Sequence, residues 1–174
     1  MYSDLWAVGT RVELALAELR EIEATGPRFR IVHRFRRAGV HCQTGEEVTA
    51  IYLLHKEREI LLRLPLALRL IVEYLARWRH LPQSASQIAA GMRSWEFSRK
   101  HGMNVGIPSR RKISRSGVKD FVKRIRRALS FALEDASLGI SAVQVLQSVT
   151  TVGNEVQYKL CAQIEWQHIN DLLN

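Results

Sequence analysis

Apolar positions recur every three or four residues in four stretches of the chain and alternate in two others. Residues 5–24 carry Leu5, Val8, Val12, Leu16 and Leu19 at helical spacing, with Glu13, Glu18, Glu21 and Glu23 opposite, and Thr25-Gly26-Pro27 stops the run. In residues 28–36 the pattern changes to alternation: Phe29, Ile31, His33 and Phe35 face one way and a row of arginines the other. Strands at 40–43, 48–54 and 59–63 complete a predicted antiparallel sheet, with His55-Lys56-Glu57-Arg58 as a hairpin tip. Leu64-Pro65 opens a helix with Leu68, Ile71, Val72, Leu75 and Trp78 on its stripe, running to about residue 80. Ser84 or Ser86 caps a short helix holding Ile88, Ala89 and Met92, and residues 93–101 read as a separate helical turn. Residues 102–112 read as a loop.

The stretch 113–133, ISRSGVKDFVKRIRRALSFAL, organises the remainder. Val118, Val122, Ile125 and Leu129 form one apolar stripe, and Ser114 is a cap. Ser116, Asp120, Lys123 and Arg127 fall opposite, with Lys119 and Arg124 beside them. A one-sided apolar stripe must be buried, so the other face is turned outward. Beyond it, residues 143–151 and 156–160 read as a β-hairpin around Val152-Gly153-Asn154-Glu155. Residues 164–172 carry Ile164, His168, Ile169 and Leu172 at helical spacing and predict a short terminal helix.

Charge sharpens this picture. The net charge of +9 is concentrated: residues 99–127 hold eleven Lys or Arg and one acid, Asp120, whereas the other 145 residues hold 15 bases and 16 acids. A focused positive field points to a polyanion. A long basic helix with a buried back suits the major groove of double-stranded DNA. A merely solvated charged face is the competing reading. Arg28, Arg30, Arg34, Arg36 and Arg37 form a second basic group, read as solvated side chains lying along the sheet.

Several function classes lack a signature. His33, His41, Cys42 and His55 have no metal-ligand spacing, and no phosphate loop or nucleophile elbow occurs. The expectation is a protein that is not an enzyme and needs no cofactor. Cys42 and Cys161 are far apart and read as reduced thiols; no apolar run suits a bilayer and no signal pattern opens the chain, so the expected compartment is the cytoplasm.

Three segments carry a family resemblance. They are YLLHKEREILLRLPLALRLIVEYLA (52–76), GVKDFVKRIRRAL (117–129) and TVGNEVQYKL (151–160). Together residues 48–160 resemble the OmpR/PhoB-type winged helix-turn-helix DNA-binding domain. The segments match, in turn, its leading hairpin and first helix, its recognition helix and its wing. The residues before 48 are too few for the receiver domain that usually accompanies it.

The resemblance implies an α+β fold: a leading small antiparallel sheet, a three-helix core and a C-terminal hairpin wing, here with an N-terminal helix added. The expected division is 1–27 for that helix, for packing or dimerisation, 28–63 for the sheet, and 64–174 for the winged helix-turn-helix with a short tail. It implies a sequence-specific transcription regulator that inserts the basic helix in the major groove. Ser116, Lys119, Asp120, Lys123 and Arg127 would face bases. Arg110, Arg111, Lys112, Arg115, Arg124, Thr150, Thr151 and Lys159 would face phosphates. Double-stranded DNA is the expected partner, bound by a homodimer, with RNA polymerase as a second contact. The alternatives are a winged-helix protein adaptor and a plasmid or phage replication initiator.

Overall fold

A computed structural model describes residues 26–36, 45–79, 81–100, 115–151 and 153–170, together with Glu13, Leu16, Ala17 and Arg20, which are helical. The candidate dimer helix at 5–24 otherwise lies outside the described residues, as do the strand at 40–43 and the loop at 102–112.

After these helical residues come three strands, β1 (Arg28–Arg36), β2 (Gly45–His55) and β3 (Arg58–Leu61). Lys56, in the tight β2–β3 turn, takes a left-handed backbone with φ 54°. Helix α1 (Leu66–Arg77) follows, then a two-residue strand β4 (Gln83–Ser84) and helix α2 (Ala85–Lys100). The basic helix is α3 (Arg115–Asp135); after it come a single turn α4 (Ala142–Val145) and strands β5 (Leu146–Thr150), β6 (Val156–Leu160) and β7 (Gln163–Asn170). The molecule is therefore mixed α+β, with two small sheets and, from residue 66 onward, four helices among the described residues. One sheet has the order β3-β2-β1-β7 and the other β4-β6-β5.

Local chemistry explains the helix ends. Ser84 Oγ accepts from the Gln87 backbone N–H, and Gln87 Oε1 accepts from Ser84 N–H. This reciprocal capping starts α2, and Ser141 with Gln144 repeats it at α4. At the end of α3, Ser137 adopts φ 55° while Leu138 N–H bonds to Leu133 O and Ser137 N–H to Glu134 O. That paired closure satisfies carbonyls the helix would otherwise leave open. Helices α1 and α2 approach closely because Gly91 faces the Tyr74 ring; a Cβ there would sit 2.3 Å from Tyr74 Cε2.

One apolar cluster joins the parts. Phe29, Ile31, Ile51 and Leu53 from the first sheet meet Leu68, Ile71 and Leu75 of α1, Ile88 and Met92 of α2, and Val118, Val122, Ile125 and Leu129 of α3. Leu146, Tyr158 and Leu160 extend it into the second sheet.

Three expectations are corrected. The predicted terminal helix at 164–172 is instead β7 over its described part, paired parallel to β1 with Phe29 opposite Ile164 and His33 opposite His168. The first sheet is thus not wholly antiparallel. Its free β1 edge supplies pairing that local spacing does not show. The residues read as a short helix plus a further turn form one helix, α2. The stretch read as a strand from residue 143 begins with α4, because the Ser141–Gln144 box closes a helical turn before β5 starts.

Candidate nucleic-acid interface

Helix α3 separates its faces as the pattern predicts. Val118, Val122, Ile125 and Leu129 are buried, as are Ala132 and Leu133. Lys119, Asp120, Lys123, Arg124 and Arg127 are exposed. Lys119, Lys123 and Arg127 follow one another at every fourth residue, so their ridge rises ~12 Å at 1.5 Å per residue, about the width of a DNA major groove. Among the described residues, no acid forms an ion pair with Lys119, Lys123, Arg124 or Arg127. Arg127 instead lies 6.0 Å from the centre of the Phe131 ring.

Other expected contacts fare differently. Arg110, Arg111 and Lys112 lie outside the described residues. Arg115 and Ser116 are in the first turn of α3, where only the backbone is described. Thr150 is exposed beside the β5–β6 turn. Thr151 is half-buried, and its hydroxyl donates to Glu155 O at 3.2 Å, which ties the turn together. Lys159 is a correction: it is only 8% exposed. Strand β6 runs between β4 and β5, and its last three residues are all buried. Its side chain is inside the fold, away from any phosphate.

Arg126 was not singled out by charge, yet it fixes the hairpin to the helix. Its Nε and one terminal nitrogen donate to Leu146 O at 2.9 and 2.6 Å, and the same terminal nitrogen donates to Ser148 Oγ at 2.7 Å. Position 126 lies four residues after buried Val122 and three before buried Leu129, at the margin of the apolar stripe. That placement was the available signal that this arginine is turned inward, toward a carbonyl. Burial raises the Tyr158 hydroxyl pKa, and the charge of Arg126 partly offsets the shift.

Two arginines of the second basic group, Arg28 and Arg30, are paired with acids. Arg28 contacts Glu165 at 2.9 Å, and Arg30 contacts Glu165 at 2.7 Å and also pairs with Glu59. The hydrogen bond from Arg30, with the charges of Arg30 and Arg28, holds the Glu165 carboxyl below its usual range despite some desolvation. Glu165 lies on β7, so the parallel strand that corrects the fold also carries the acid that pairs these arginines. Among the described residues, no group of three or more His, Cys, Asp or Glu is placed to hold a metal ion. His33 is buried and meets Glu73 at 2.9 Å, and Cys161 is buried elsewhere. His41 and Cys42 lie outside the described residues. Among the described residues, no helix is long and apolar enough to cross a membrane. Searches of protein-family models, curated proteins and solved structures found no match to this chain.

Proposed function

We propose that the chain is a sequence-specific double-stranded DNA-binding regulator of transcription that lays α3 in the major groove. The observation that carries this reading is the ridge of Lys119, Lys123, Arg124 and Arg127, which no acid pairs among the described residues, on a helix whose opposite stripe of Val118, Val122, Ile125 and Leu129 is buried. Burial fixes the angle of the helix, and the long cations reach outward from it. Asp120, on the same exposed face, is placed to accept from a cytosine amino group.

The order of elements supports the finer reading as a winged helix-turn-helix. Helix α1, short strand β4, helices α2 and α3 and the β5–β6 hairpin follow in sequence, and β4 completes a three-stranded sheet with the hairpin. In this reading the β5–β6 turn is the wing, Thr150 is its exposed contact and Arg126 sets its distance from the recognition helix.

A gel shift with random duplex DNA at several salt concentrations tests the proposal. Four neutralised phosphates predict that affinity falls about 100-fold between roughly 50 and 200 mM salt. The double change Lys123→Ala, Arg127→Ala is expected to weaken binding by about 100-fold or more, since bonds to charged groups are the strong ones. Its melting temperature should match the parent, because both side chains face solvent. Salt-insensitive binding, or loss of folding in the double variant, would end this reading.

A further inference from the structure

The C-terminal half of α3 forms one wall of a groove that the DNA ridge does not account for. Strand β3 and the start of α1 form the opposite wall, and the groove encloses about 780 Å³. That volume lies within the range of small-molecule sites, roughly 300–1,000 Å³. Its floor is apolar: Leu64, Leu68 and Ala132 are buried there and Ala128 half-buried. Two large apolar side chains on its rim, Leu61 at 48% and Phe131 at 62%, stay exposed.

The charges around this floor do not cancel. Arg58, Arg63, Arg124 and Arg127 line the groove with two acids, Glu59 and Asp135. Both acids already have partners: Glu59 pairs with Arg30, and Asp135 lies 3.6 Å from Arg58. Arg63, Arg124 and Arg127 are left without an acid among the described residues. DNA phosphates could meet those arginines but would gain nothing from an apolar floor and an exposed Phe131. A ligand with both an acidic head and an apolar body uses every part of the groove.

From this we infer that the groove binds a small amphipathic carboxylate. Its carboxylate is held by Arg63 with Arg124 and Arg127, and its apolar body lies between Leu61 and Phe131. Arginine suits this role because its planar fork holds a carboxylate through two parallel bonds. Resting on the DNA-binding reading is one consequence. Arg124 and Arg127 belong to both surfaces, so an occupied groove competes with duplex DNA, and the carboxylate acts as an effector.

The full chain is tested by equilibrium dialysis with dodecanoate below its micelle concentration, beside dodecanol and dodecyltrimethylammonium. Saturable binding of dodecanoate is expected, with dodecanol about tenfold weaker or worse, as loss of charged hydrogen bonds predicts. Arg63→Gln and Phe131→Ser should each weaken dodecanoate by about tenfold. Both positions are exposed, so an unchanged melting curve verifies the fold. Equal binding of dodecanol, indifference to both substitutions, or preferential binding of a synthetic peptide of residues 1–25 would overturn the site. A gel shift with added dodecanoate tests the competition: displaced duplex supports it, and an unchanged shift overturns it. Dialysis contains no DNA, so failure of the site and failure of the DNA reading are told apart.

Discussion

The arginines of β1 and the cations of α3 both stand out in the sequence but differ in their surroundings. On β1, Arg28 and Arg30 converge on Glu165 from β7, and Arg30 also reaches Glu59 from β3. On α3, Lys119, Lys123, Arg124 and Arg127 look outward and have no such acid among the described residues. A sheet brings strands distant in sequence side by side, so it can place a carboxylate against each arginine. A long helix packed through one stripe offers its far side to solvent alone. Density of positive charge is therefore a poor guide to a nucleic-acid surface; the presence of opposing acids decides.

The largest test compares the two groups directly. Lys123→Ala with Arg127→Ala should cost about 100-fold in duplex affinity, and Arg28→Ala with Arg30→Ala less than about twofold. Duplex binding measured at one salt concentration separates the outcomes. Similar losses from both pairs would mean that the acids on the sheet do not shield its arginines from DNA.

A second change tests the sheet side where it is buried. Glu73 of α1 accepts from His33 Nε2 at 2.9 Å and from Arg77 at 2.8 Å, in a setting where His33 and Glu73 are almost inaccessible. His33 Nδ1 has no hydrogen-bond partner among the described residues, and its ring stacks on Trp166 and His168 of β7. Glu73→Ala would leave both ring nitrogens unmet. Loss of about 3 kcal/mol is expected, as for removing one member of a buried pair, or roughly 10 °C in Tm for a chain of this size. DNA affinity below that temperature should be unchanged. A large loss of affinity in protein that is still folded would couple the two regions and weaken the contrast between them.

Arg126 is the exception within α3, a cation of the basic run that is used internally. Arg126→Ala removes its bonds to Leu146 O and Ser148 Oγ and is expected to destabilise the fold by about 1.5 kcal/mol, read from a denaturant melt. Affinity for duplex should fall only as far as the hairpin loosens. A loss matching that of the ridge variants, with no change in the melt, would place Arg126 on the DNA.

These cases show what was legible. The stripe of α3 was readable because a 21-residue helix repeats its pattern several times, and its buried face agrees with that pattern residue by residue. Helix α1 was readable in part: Leu68, Ile71, Val72 and Leu75 of its stripe are buried, but Trp78, expected on that stripe, is 48% exposed at the helix end, and Leu70, Tyr74 and Ala76 off the stripe are buried as well. Strand β7 was not readable: Trp166 and His168 stack on His33 while Glu165 bonds to Arg28 and Arg30, and that two-sided use depends on the distant β1. Lys159 was misplaced because the resemblance puts the end of the hairpin on an outer wing, whereas β6 lies between β4 and β5 and its last three residues are buried. The groove could not be foreseen, since β3 and the end of α3 meet only in the folded chain.

The smallest expected effect follows from Glu165. The Arg30 hydrogen bond lowers its folded pKa, so the group contributes stability above its unfolded value. That contribution fades as pH falls through the lower, folded value, because both states then carry the proton. Desolvation acts in the opposite direction, and the site is open to solvent, so the effect is modest. Melting temperatures should therefore fall between about pH 6 and about pH 3, and the fall should be shallower in Glu165→Gln than in the parent. Other carboxylates contribute to the parent slope, so the difference between the two curves is the informative quantity. Coincident curves would mean that Glu165 holds Arg28 and Arg30 too weakly to neutralise them, and the sheet arginines would then have to be counted as a second surface for a polyanion.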